Sequence, residues 1–130
     1  AHGWHHVRHS KLSDIEIRTS LDQTAEALHA VTGAFPRLFR PPYGDHDARL
    51  VAMAAELGQS VWLWSVDARD WERPGTQEIV RRVVENVENG SVVLLHDGRG
   101  NRWQTVEAVP SVIALVGDLG YSFARIPHSA

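Results

Sequence analysis

The chain has 130 residues, 43% of them hydrophobic and 22% charged, which suits one globular domain or part of a larger one. A formal net charge of -3 gives no global electrostatic argument for nucleic acid, and no apolar run approaches the length that crosses a bilayer. With no cysteine, disulfides and thiolate metal sites are excluded, so any metal must be held by His, Asp or Glu, as suits zinc or a similar ion. Ser13-Asp14-Ile15-Glu16 is a capping box and predicts a helix start. Ile15, Leu21, Ala25, Leu28 and Val31 supply an apolar face up to Gly33, a C-terminal stop. Leu38 to Arg40 reads as a short strand ended by Pro41-Pro42-Tyr43-Gly44. Asp47 caps a second helix through Leu50, Val51, Met53 and Ala54 to Gly58. Ser60 to Val66 is rich in β-branched and aromatic residues and reads as a strand. A polar loop, Asp67 to Gly75, leads to a third helix capped by Thr76 and ending at Gly90. Val92-Val93-Leu94-Leu95 has the continuous apolar character of a strand buried on both faces. After a glycine-rich loop, a fourth helix runs from near Gln104 to Gly120, and Tyr121 to Ile126 closes the chain as a strand.

Helices alternate with strands at the spacing of βα units, which predicts an α/β fold with a parallel sheet or barrel and one domain over residues 1–130. Chemistry in such folds gathers at the C-terminal ends of strands. Four polar clusters obey that rule. His5-His6-Val7-Arg8-His9 precedes the first helix, Arg40-Pro41-Pro42-Tyr43 follows one strand, Asp67 to Trp71 the next, and His96-Asp97 the third. Two histidines four apart can grip a divalent ion from one helix face or tight loop, and they serve equally as a solvated loop or a tag remnant. An arginine at a strand end looks for a carboxylate partner. The two aspartates Asp67 and Asp70 end an apolar strand, and taken as a lone pair they read first as loop-capping Asx turns. A histidine beside a carboxylate can be held in one tautomer and stabilised when protonated, which suits a general acid.

Taken together, these residues resemble the polysaccharide deacetylases with a NodB-type domain, carbohydrate esterase family 4. His5 to His9 resembles the family's H-[S/T]-x-x-H motif, Arg40 to Tyr43 its R-x-P-[F/Y], Asp67 to Trp71 its D-x-x-D-W, and Leu94-Leu95-His96 its L-x-H. The run from Thr105 to Pro110 fits as well, so the resemblance covers essentially the whole chain. It implies part of a distorted (β/α) barrel that lacks its N-terminal strands. It also implies metal-dependent removal of acetyl groups from an N-acetylglucosamine-containing glycan, chitin-like or peptidoglycan-like. The alternatives are an acetylxylan O-deacetylase and a non-catalytic glycan-binding relative.

Carried over by position, the resemblance makes His5 and His9 ligands of a divalent metal, zinc or alternatively cobalt or nickel. It makes His96 the general acid, Asp70 its orienting partner, and Arg40 the holder of the catalytic base. The Tyr43 N–H would stabilise the oxyanion, while Tyr43, Trp71 and Leu94 contact substrate. His6 departs from the usual Ser or Thr. The family's first motif, with its Asp pair for base and third ligand, has no counterpart here, because no two aspartates are adjacent. The expectation is that an N-terminal fragment of the same protein, or a swapped second copy, supplies that pair. The remaining expectations are a glycan partner, no nucleic acid or membrane partner, and an extracellular or cell-envelope location.

Overall fold

A computed structural model describes residues 1–127. Of these residues, two compact units are formed: the first takes in Ala1–Leu63 with Ile126 and Pro127, the second Trp64–Arg125.

The first unit is built on α1 (Asp14–Thr32), β1 (Leu38–Phe39), α2 (Ala48–Glu56) and β2 (Ser60–Val61). The capping box predicted at Ser13 is present in both directions, with Glu16 reaching back to Ser13. Gly33 ends α1 at φ 74, a left-handed conformation that glycine adopts without steric cost. The buried stripe of α1 is Ile17, Ser20, Leu21, Thr24 and Ala25, a helical spacing. Ile15 and Val31, expected on that face, lie 79% and 86% exposed. Ile15 stands two residues from Ile17, about 200° around the helix, so both cannot face one core. Asp47 caps α2, accepting from Leu50 N–H at 3.0 Å. Strands β1 and β2 pair in parallel, Leu38 with Ser60 and Phe39 with Val61. Ile17, Leu21, Phe39, Leu50 and Ala54 close the core. Each large apolar side chain buried there contributes about 1.5–3 kcal/mol.

The second unit contains β3 (Val66–Asp67), α3 (Thr76–Val84), β4 (Val93–Leu94) and α4 (Trp103–Asp118). Its strands also pair in parallel, Val66 with Val93 and Asp67 with Leu94. Helices α3 and α4 pack Ile79 and Val83 with Ala108, Val112 and Val116.

The expected strand Ser60–Val66 is therefore two short strands with different partners. Trp62 N–H still reaches the Phe39 carbonyl at 2.9 Å, but the N–H groups of Ser65 and Val66 both aim at the Val92 carbonyl. Two donors sharing one acceptor mark a change of register, and pairing transfers from β1 to β4 there. Helix α3 stops at Val84 instead of continuing to Gly90, and Gly75, not Thr76, is its cap. Thr76 Oγ1 donates instead to Glu107 on α4 at 2.6 Å. Among the described residues Tyr121 to Ile126 forms no strand, and no helix is long and apolar enough to cross a membrane.

Candidate functional site

Two of the four polar clusters fall in each unit. In the first, the chain at His2 runs beside the end of β1: Arg40 N–H donates to the Ala1 carbonyl, and His2 Nδ1 makes a short hydrogen bond to the Arg40 carbonyl. A carbonyl only accepts, so Nδ1 carries the hydrogen and Nε2 of neutral His2 is left as a ligand atom. The His6 ring meets His2 edge to face, with centroids 5.1 Å apart. Burial pushes the His2 pKa below its ordinary value; the Arg40 carbonyl opposes this, and the Arg40 guanidinium and His6 reinforce it. The neutral form, which metals require, is thereby favoured.

His5 and His9 are not presented as such a pair. His9 is fully buried, edge-on to Phe39 at 5.5 Å, and its Nε2 lies 3.3 Å from Ser20 Oγ on α1. His5 is exposed. One ring is sealed in the core while the other faces solvent, so the structure does not bring together the two histidines expected as ligands, His5 and His9. The same H-x-x-x-H spacing occurs at His2 to His6. Two imidazole nitrogens on adjacent rings suit a borderline divalent ion such as zinc. Among the described residues no third His, Asp or Glu gathers with them.

Tyr43 sits in a turn held by Gly44 N–H to the Pro41 carbonyl and Asp45 N–H to the Pro42 carbonyl. The turn sets Tyr43 at φ 60, a strained conformation for a residue with a Cβ. Its ring is 55% exposed, meets His6 edge-on at 4.6 Å and carries the Arg8 guanidinium at 4.9 Å. Asp45 fixes the loop after His6 by accepting from both Ser10 N–H, at 2.8 Å, and Ser10 Oγ, at 2.9 Å. Arg40 is half-buried, and burial lowers the pKa of its guanidinium. Among the described residues no carboxylate pairs with it.

In the second unit, Asp70 is buried within a short turn, Asp70–Glu72, beyond β3. Its Oδ1 pairs with His96 Nδ1 at 2.8 Å, and its Oδ2 accepts from His96 N–H and Thr105 Oγ1, each at 2.8 Å. Burial works against the Asp70 carboxylate, yet the hydrogen bonds from His96 and Thr105 outweigh it and hold its pKa below the usual range. A carboxylate at Nδ1 fixes one tautomer of His96 and leaves Nε2 as the nitrogen that exchanges protons. Thr105 was not singled out as a site residue, because a threonine opening a helix looks like ordinary capping. Asp67 closes an Asx-type turn, accepting from Arg69 N–H at 2.8 Å, and has the structural role that the sequence allowed. Trp71 is 48% exposed, with the Arg69 guanidinium 5.5 Å from its ring centroid. Leu94 is buried in β4 opposite Asp67.

The polysaccharide deacetylase family model matches residues 1–62. A peptidoglycan-N-acetylglucosamine deacetylase of Bacillus cereus is 41% identical over 93 residues, covering 70% of this chain and 44% of the relative. A chitooligosaccharide deacetylase of Azorhizobium caulinodans is 30% identical over 140 residues, covering 96% of this chain and 67% of the relative. A family 4 carbohydrate esterase pseudoenzyme from Bacillus anthracis superposes with a TM-score of 0.87 at 31% identity, over 92% of this chain and 41% of that one. The chain thus spans less than half the length of the first and third of these proteins.

Proposed function

Because the chain belongs to the polysaccharide deacetylase family of NodB type, carbohydrate esterase family 4, and has the fold of part of that family's (β/α) barrel, we propose that the protein removes acetyl groups from an N-acetylglucosamine glycan. The observation that carries this is the Asp70–His96 pair, oriented by three hydrogen bonds to one buried carboxylate. The substrates named for the relatives, peptidoglycan N-acetylglucosamine and chitooligosaccharide, support an N-acetylated polymer. Such a polymer places the action at the cell envelope or outside the cell.

In this mechanism His2 and His6 would hold a divalent cation, for which their imidazole nitrogens suit zinc. The cation would polarise the acetyl carbonyl and lower the pKa of a water. His96 delivers a proton from Nε2 to the departing amine, while Asp70 keeps Nδ1 occupied and offsets the charge. The backbone N–H of Tyr43, held in its strained turn, would stabilise the developing oxyanion. Trp71 offers an exposed ring on which a sugar can stack, and Leu94 would line the pocket for the acetyl methyl. Arg40 pairs with a carboxylate that acts as base, brought by an aspartate of another segment or a second copy.

Acetate release from chitooligosaccharides and from peptidoglycan, measured on the assembly that includes the aspartate base and with and without added zinc, tests this function. Zinc-dependent release supports it. Glycan binding without release in the presence of zinc contradicts it and favours a binding module, a reading that the likeness to a pseudoenzyme also supports.

A further inference from the structure

The loop that carries His2 and His6 rests on an arrangement outside the roles assigned above. Gly3 lies at φ 80, and a Cβ there would stand 2.9 Å from His9 Cε1 and 3.2 Å from His9 Nε2. Trp4 N–H, the next backbone donor, donates to Ser20 Oγ at 3.0 Å. Ser20 Oγ in turn lies 3.3 Å from His9 Nε2. A hydroxyl can accept from Trp4 and still keep its own hydrogen for the imidazole. Ser20 is buried on α1, and His9 is wedged between it and Phe39. The ring therefore fills the space beneath Gly3, and one hydroxyl ties together the loop, the ring and the helix.

We infer that His9, Ser20 and Gly3 form a brace that sets the mutual position of His2 and His6, with His9 as a positioning residue and not a ligand. The residue choices are interlocked. A residue larger than glycine at position 3 would collide with His9 and would also adopt a strained φ. A residue without a polar nitrogen at position 9 would leave the Ser20 hydroxyl hydrogen without its acceptor. Groups behind metal-binding histidines orient the rings, and losing one typically weakens metal binding by about 10–100-fold.

This inference rests on the proposal that His2 and His6 hold the cation, and the experiment separates the two. Nuclear Overhauser contacts between the His2 and His6 ring protons are recorded on the full, metal-free chain, and zinc affinity is then measured by titration calorimetry. The variants are Ser20→Ala, Gly3→Ala, His9→Ala and the double variant Gly3→Ala/His9→Ala. The wild-type chain is expected to show the inter-ring contact, and Ser20→Ala, which removes only a hydroxyl, to weaken it. Zinc affinity should fall about 10–100-fold in Ser20→Ala and in Gly3→Ala. The Gly3→Ala penalty should shrink in the His9→Ala background, where the colliding ring is gone. An unchanged inter-ring contact in Ser20→Ala, or strictly additive Gly3 and His9 penalties in that contact, overturns the brace. A chain whose contact responds as expected but which binds no zinc supports the brace and refutes the cation role.

Discussion

His2 and His96 use the same ring nitrogen in opposite ways. Each engages Nδ1 and leaves Nε2 for chemistry, but His2 meets a backbone carbonyl and His96 meets a buried carboxylate. A neutral acceptor fixes the tautomer and favours the imidazolium form only modestly, and burial outweighs it and moves His2 toward neutrality. An anionic acceptor suits a histidine that carries a proton during its work. Under the proposed function, the first unit suits neutral nitrogen ligands and the second proton transfer. They differ in self-sufficiency as well. Asp70 has all its hydrogen-bond donors within the second unit, whereas Arg40 in the first has no carboxylate partner among the described residues.

The largest expected effects separate these two histidines. His96→Ala should cut acetate release by about 10²–10⁴-fold while zinc content by atomic absorption stays constant. His2→Ala should abolish both together. Loss of zinc in His96→Ala would mean that His96 is a ligand and would dissolve the contrast.

Next in size is the acid limit of the second unit. Because the folded Asp70 pKa lies below its unfolded value of about 3.9, its contribution is complete above that pH and is lost as pH falls through the folded pKa. Thermal unfolding measured below about pH 4 should therefore show a steep loss of stability, and Asp70→Asn should flatten that limb. Parallel pH curves for the two proteins would contradict the assignment.

Thr105→Val should have a smaller effect, costing about 1.5–3 kcal/mol in denaturant unfolding, since it removes a hydrogen bond to a buried charge. It should also lower turnover with little change in KM, because Thr105 acts through Asp70 and does not touch substrate. Smallest of all, His5→Ala should change stability by no more than about 0.5 kcal/mol, as for other exposed positions. Loss of zinc binding in that variant would restore His5 as a ligand.

What the sequence made legible was local or chemical. The capping box at Ser13, the Gly33 stop and the Asp47 cap are one-turn signals, and each is present in the structure. The parallel α/β character followed from the alternation of periodic and apolar segments. Asp70 and His96 were legible as reactive types at strand ends, and their pairing across 26 residues is a consequence of the β3–β4 register. The histidine register was not legible. His2 to His6 and His5 to His9 share one spacing, and what separates them is that α1 turns Ser20 toward His9 while the end of β1 offers the Arg40 carbonyl to His2. Thr105 was invisible for the same reason: its role depends on a tertiary contact 35 residues away. The run Ser60–Val66 has strand composition throughout, but composition does not encode a change of partner between β1 and β4.

Histidine NMR during a zinc titration of the full chain tests the central contrast most directly. The account predicts that the Cε1–H resonances of His2 and His6 move in step with one another while those of His5 and His9 stay in place. Movement of His5 and His9 with His2 and His6 unchanged, or no movement at any histidine, would contradict it.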